Sequence, residues 1–188
     1  WEGWHPTQFL GQHVTGKTIG IIGMGRIGKA IAKRAAFGFD MDVVFYNRTK
    51  VADPGVPARQ LETLAEVCGA ADIVVMAVPA TPDTHHMMDA EAMRHMRPHA
   101  VLVNIARGDV VDEAALIAAL QSGQIGGAGL DVYEFEPVVP NALKDMENVT
   151  LFPHLGTAAL EVRVDMGLIA VANLNAWIAG EPLPNAIG

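Results

Sequence analysis

The chain has 188 residues, of which 51% are hydrophobic and 18% charged, with a mean hydropathy of +0.25 and a net charge of −8. That is enough chain for one well-buried core, too apolar for disorder, and too acidic for a nucleic-acid surface. A single cysteine, Cys68, excludes an internal disulfide, and no signal peptide or long uncharged apolar run stands out, so a soluble cytoplasmic protein without a membrane partner is expected.

The chain opens Trp1-Glu2-Gly3-Trp4-His5-Pro6, which reads as a segment cut from something larger. Trp1, Trp4 and Phe9 precede the first strand with no core to join, and such aromatics commonly mark an interface, so a homodimer is expected. Apolar runs predict strands over 18–22, 42–46, 73–78, 100–105, 127–132 and 149–152. Helical patterns fall over 26–38, 61–68, 89–96, 112–121 and 157–179. This alternation predicts an α/β fold of the Rossmann type, a doubly wound parallel sheet with helices on both faces. Near-continuous apolar strands such as Ile73 to Val78 fit burial on both sides. In the last helix Val164, Leu168, Val171, Leu174 and Ile178 recur at helical spacing and predict a core face. Cys68, closing a helix, reads as a small buried hydrophobe.

Between the first strand and helix lies Gly23-Met24-Gly25-Arg26-Ile27-Gly28. Gly23 permits the tight turn, Gly25 lets a pyrophosphate approach the backbone, and Gly28 lets the helix pack closely on its strand. With a strand before it and a helix after it, the triplet predicts a dinucleotide site at the helix N-terminus, where free N–H groups favour an anion.

Ligands of such sheets gather at the carboxyl ends of the strands. The second strand ends Asn47-Arg48-Thr49-Lys50, where an NAD site ordinarily carries an acid for the ribose. The missing acid and the added bases favour a 2′-phosphate, hence NADP(H) over NAD(H). The third strand leads through Val78, Pro79 and Thr84 to His85 and His86. Adjacent histidines rarely converge on one ion, and no cluster completes a metal site, so they read as solvated loop residues. The fourth strand ends Ile105-Ala106-Arg107-Gly108, and the arginine's planar fork suits a carboxylate, although alone it would read as an exterior salt bridge. Asp131 lies in the fifth strand and Glu136 on its continuation, on different faces if it stays regular. His154 and Gly156 follow the sixth. A carboxylate beside an imidazole orients it and favours its charged form. Arg, Glu and His at neighbouring strand ends suit carbonyl reduction.

Taken together, Gly16 to Gly28, Asn104 to Gly108, Leu130 to Glu134 with Glu136-Pro137, and Pro153-His154-Leu155-Gly156 resemble the D-2-hydroxyacid dehydrogenases, in particular their glyoxylate/hydroxypyruvate reductase branch. The resemblance spans nearly the whole chain. It implies a catalytic triad of Arg107, Glu136 and His154, with Asp131 near the nicotinamide carboxamide. The expected cofactor surface comprises Gly23, Gly25, Arg26, Ile27, Gly28, Asn47, Arg48, Thr49, Lys50, Val78, Pro79, Thr84, Ile105, Ala106, Arg107, Asp131, His154 and Gly156. The resemblance further implies NADPH-dependent reduction of a small 2-oxo acid to its 2-hydroxy acid. It makes 1–188 the dinucleotide-binding domain, with the substrate domain absent from this chain. A cofactor-sensing corepressor of the same fold, and an NAD-dependent D-2-hydroxyacid dehydrogenase of other specificity, are the alternatives.

Overall fold

The computed structural model describes residues 3–8 and 10–186, so that Trp1, Phe9 and Ile187 lie outside the described residues. The chain divides into two units, Trp1–Pro153 and His154–Gly188. The first holds a seven-stranded, wholly parallel sheet of order β3-β2-β1-β4-β5-β6-β7. Its strands are β1 (Thr18–Ile22), β2 (Asp42–Tyr46), β3 (Arg59–Gln60), β4 (Ile73–Met76), β5 (Val101–Asn104), β6 (Gly127–Leu130) and β7 (Val149–Leu151). The expected fold class holds, and β3 is an addition: two polar-ended residues on the sheet edge carry no apolar run to announce them.

Alternation along the strands sorts the core into two layers. Ile19, Ile21, Val43, Phe45 and Val75 meet Ala32 and Ala35 of α1 (Arg26–Phe39) on one face. Ile22, Val74, Met76, Leu102 and Leu130 meet the other helices on the opposite face. These are α2 (Leu64–Ala70), α3 (Ala90–Arg94) and α4 (Glu113–Gln121), through Val67, Met93 and Leu116. Helices therefore cover both faces. A short α5 (Asn141–Lys144) follows Pro140 before β7. Three of these helices begin at side-chain caps: Thr63 in a capping box with Glu66, Asp89 on Ala92 N–H, and Asp112 on Ala115 N–H. Cys68 is fully buried in α2, and burial pushes its thiol up to about 12, so it is a packing residue.

The second unit is dominated by α6 (Leu160–Ala179), closed by Gly180 at φ 70°. Here the expected core face fails. No residue of α6 is buried, and Val164, Leu168, Val171, Leu174 and Ile178 are each at least half exposed. Apolar residues surround most of the helix, so periodicity named a face that nothing in this unit covers. By length and composition alone the helix is also long and apolar enough to cross a membrane, although with Glu161, Arg163 and Asp165 it is not an uncharged run.

The amino ends of the strands are tied by Asp72. Its Oδ2 accepts from Thr18 N–H at 2.9 Å, and its Oδ1 accepts from Arg97 Nη1 at 2.9 Å and meets His99 Nε2 at 2.7 Å. Burial pushes the carboxyl up, but His99, the Thr18 amide and Arg97 outweigh it and bring it from 3.8 to about 2. A carboxyl lowered on folding stabilises above its unfolded value and loses that contribution as pH falls toward the folded one. We predict that Asp72→Asn costs about 2 kcal/mol at pH 7 in urea unfolding, and that the gap to the parent narrows between pH 4 and pH 2. A gap independent of pH would remove the ionised carboxylate from the explanation.

Candidate active site

Chain connections leave β1 and β4 toward opposite faces, which opens a crevice at the carboxyl ends of adjacent strands. There the glycine loop adopts the strained geometry its sequence predicts. Gly23 has φ 100°, and a Cβ on it would lie 2.8 Å from the Ala77 carbonyl oxygen. A Cβ on Gly28 would lie 2.1 Å from the Gly23 carbonyl oxygen, so only glycine lets α1 begin this close to β1. Gly25 faces open space, with no atom within 4 Å of its would-be Cβ. No side chain caps α1 and no acid occupies its first turn. The first helical bond runs from Lys29 N–H to Gly25 C=O, so the amides of Arg26, Ile27 and Gly28 precede it. This is a cradle for an anion, and it suits a pyrophosphate.

A cavity of about 460 Å³ opens on this cradle. Its walls are Gly25, Arg26 and Ile27, then Ala77 to Ala80, then Ile105, Ala106 and Arg107. Gly25, Arg26 and Ile27, Val78 and Pro79, and Ile105 to Arg107, expected after the first, third and fourth strands, thus border one crevice, while Thr84 does not line it. A larger space of about 970 Å³ lies elsewhere, among Leu10, Lys17, Asp72 and Asn148 at the amino ends of the strands. Its walls carry none of the expected site residues.

Asn47 staples the crevice rim. Its Oδ1 accepts from Met24 N–H at 3.1 Å, and its Nδ2 donates to the Thr49 carbonyl at 2.9 Å and the Thr49 hydroxyl at 3.2 Å. Those bonds already engage the amide that could have served a ligand. Arg48 stands in solvent, 3.7 Å from Asp83 of the neighbouring loop. Thr84 is held inward, its hydroxyl donating to the Pro79 carbonyl at 2.7 Å.

Arg107 owes its position to a residue that the sequence reading did not assign a role. Asn104, almost wholly buried at the end of β5, donates from Nδ2 to the Arg107 carbonyl at 2.9 Å and accepts from Ala106 N–H at 3.0 Å. Its signal was a polar residue closing an apolar strand. Arg107 itself is exposed, with Nη1 donating to the Ala106 carbonyl at 2.7 Å. The next residue, Gly108, lies directly on the following loop: a Cβ there would come within 1.9 Å of the Tyr133 carbonyl group.

β6 ends at Leu130, so strand alternation does not extend to Asp131 and Glu136. The loop instead turns on itself. Glu136 Oε1 accepts from Tyr133 N–H at 3.0 Å, and the Tyr133 hydroxyl donates to the Phe152 carbonyl at 2.8 Å. Burial, first, and then the neighbouring carboxylates push that hydroxyl above its ordinary pKa, against the bond to Phe152. His154 opens the second unit with a left-handed backbone, φ 55°, and Gly156 follows it. His86 departs from the solvated loop residue expected, because its Nε2 lies 2.9 Å from Glu134 Oε1 and the pair is half-buried. Among the described residues no group of three or more His, Cys, Asp or Glu is placed to hold a metal ion.

Residues 1–156 match the family model described as D-isomer specific 2-hydroxyacid dehydrogenase, NAD binding domain. The chain belongs to that family. It is 47% identical over 188 residues to the glyoxylate reductase of Pyrococcus furiosus, covering 98% of this chain and 55% of that protein. Holo D-mandelate dehydrogenase of Rhodotorula graminis superposes with a TM-score of 0.91 at 36% identity, over 94% of this chain and 52% of that one. The NADPH-dependent glyoxylate/hydroxypyruvate reductase of Sinorhizobium meliloti, solved with NADP and malonate, superposes at 0.87 with 39% identity, over 92% and 53%. The chain spans about half the length of these relatives.

Overpacking a close backbone contact usually costs about 1–3 kcal/mol. We predict that Gly108→Ala loses at least that much in urea unfolding, because both partners are backbone and neither can swing aside. A midpoint within error of the parent would show that the loop tolerates a displaced Arg107.

Proposed function

We propose that this chain is the cofactor-binding part of a longer protein that reduces a small 2-oxo acid, glyoxylate or hydroxypyruvate, to the 2-hydroxy acid. The observation that carries the reading is the single crevice lined by both the glycine cradle and Arg107. The glyoxylate reductase relatives support the substrate class. When bound, the nicotinamide cofactor supplies the hydride for the substrate's C2 carbonyl. The amides of Arg26, Ile27 and Gly28 hold its pyrophosphate, and Asp131 serves its carboxamide. Arg107 grips the substrate carboxylate and fixes which face of the carbonyl is presented. His154 gives a proton to the oxygen that becomes hydroxyl, with Glu136 as the second acid–base group. The proposed partners are that small acid and a second copy of the chain, the latter supported by Trp4, which is 82% exposed. The location proposed is cytoplasmic, with α6 covered by protein in the complete molecule. Glu161, Arg163 and Asp165 in its first turns oppose a membrane setting.

NADPH is the cofactor proposed. Arg48 has the donors to meet a 2′-phosphate, and an Asp at position 47 would repel one. Asp83 competes for Arg48, but an exposed pair contributes less than about 1 kcal/mol and yields to a dianion. Asn47 contributes by holding the loop shape rather than by touching phosphate.

Steady-state turnover of the complete protein with glyoxylate, hydroxypyruvate and pyruvate tests the reaction. His154→Gln is expected to lower kcat by roughly a hundredfold or more. Glu136→Gln is expected to lower kcat as well. A Glu136→Gln profile that overlays the parent at every pH would take Glu136 out of the mechanism. Calorimetric titration of the chain separates the cofactors. Arg48→Ala is expected to weaken NADPH about ten- to a hundredfold, the worth of one charge-assisted contact, and leave NADH nearly unchanged. Equal losses for both, or tighter NADH than NADPH in the parent, would contradict the choice of cofactor.

A further inference from the structure

Behind the crevice lies a half-buried group of side chains that the proposed reaction does not use. His86 Nε2 meets Glu134 Oε1 at 2.9 Å. The other oxygen, Glu134 Oε2, accepts from Glu113 N–H at 3.4 Å, while Glu113 Oε2 accepts from Glu134 N–H at 3.4 Å. Each glutamate thus holds the other's backbone, at the N-terminus of α4, where the helix dipole favours both charges. Two carboxylates this close also repel. Burial, and secondarily the charge of Glu134, holds the Glu113 carboxyl above its ordinary range.

The group joins three segments. His86 sits in the left-handed region, φ 49°, which costs a side-chain-bearing residue about 1 kcal/mol or more and persists only where surroundings dictate it. In that conformation its N–H donates to the Asp109 carbonyl at 2.8 Å. The chain on either side continues the seam, with Met88 N–H on Val110 C=O and Asp112 N–H on Met88 C=O, both at 3.1 Å. His86 therefore grasps the Arg107 loop through its backbone and the Glu136 loop through its ring. Between them Gly108 rests on the Tyr133 carbonyl, so a shift of either loop is passed to the other.

We propose that His86 and Glu134 form a positioning pair that fixes the Arg107 loop against the Glu136 loop and so sets where the substrate carboxylate is held. The inference rests on the roles proposed above for Arg107 and Glu136. Neither His86 nor Glu134 touches substrate in this account; both act through the loops they join. The glycine cradle for the pyrophosphate lies on β1 and α1, away from the two loops the pair joins.

The test compares His86→Ala with His86→Gln in the complete protein. Both variants carry the same backbone strain, and only glutamine can still donate to Glu134. We expect His86→Ala to raise KM for the 2-oxo acid about tenfold, the size of one hydrogen bond to a charged group, and to raise the Kd for NADPH by less, because the glycine cradle is untouched. His86→Gln is expected to recover most of that loss. Amide exchange at Met88 and Asp112 is expected to quicken in His86→Ala, return in His86→Gln, and stay unchanged at Ile21 of β1. Unchanged exchange at Met88 and Asp112 would overturn the clamp, whatever the enzyme turns over. Faster exchange with an unmoved KM would make the pair structural only and also overturn the proposal. A parent protein inactive on every 2-oxo acid would instead overturn the functional reading, with the clamp still decided by the exchange data.

Discussion

The split between β1 and β4 is the constraint on which the site depends. These strands run side by side, yet their connections leave for opposite faces of the sheet. Neither connection crosses over their carboxyl ends, so a crevice opens there, bordered by three loops. The sheet is held in register at its other end by the Asp72 cluster, far from the chemistry. Stability and function are thus divided between the two ends of the same strands. That division explains why the larger cavity, at the amino ends, carries none of the residues suited to a cofactor.

Within the crevice, close backbone contact does most of the placing. Gly28 on Gly23 brings the amino end of α1 to the anion cradle, and Gly108 on Tyr133 brings the Arg107 loop to the Glu136 loop. Backbone contacts of this kind transmit displacement with little slack, because no rotamer can absorb it. Side-chain staples then fix each loop internally: Asn47 after β2, Asn104 at the end of β5, and Glu136 on its own turn after β6. The two asparagines use both donor and acceptor at once, which a carboxylate could not do.

Much of this was legible in the sequence. Five helices and six strands follow from apolar runs and helical spacing, and the glycine triplet foretold the cradle. Strand ends were overrun at Ala77, Val78, Ile105 and Val132, because these apolar residues continue into loops that are themselves buried or line the crevice. The pair of residues in β3 and the four-residue α5 are too short to leave a pattern. α6 misled for a different reason. Spacing can name a face, but burial needs a partner surface, and none covers it within its unit. His86 was misjudged because its partner, Glu134, lies 48 residues away, a pairing that no local pattern announces.

The central claim is that the carboxyl-end crevice, with its glycine cradle, is the dinucleotide site. An amide chemical-shift titration of this chain with NADPH tests it most directly. The account predicts saturable shifts centred on Gly23 to Gly28, Arg48, Val78 to Ala80, Ile105 to Arg107 and Asp131, with those of Lys17, Asp72 and Asn148 unmoved. Shifts centred on the amino-end cavity, or none at saturating cofactor, would contradict it.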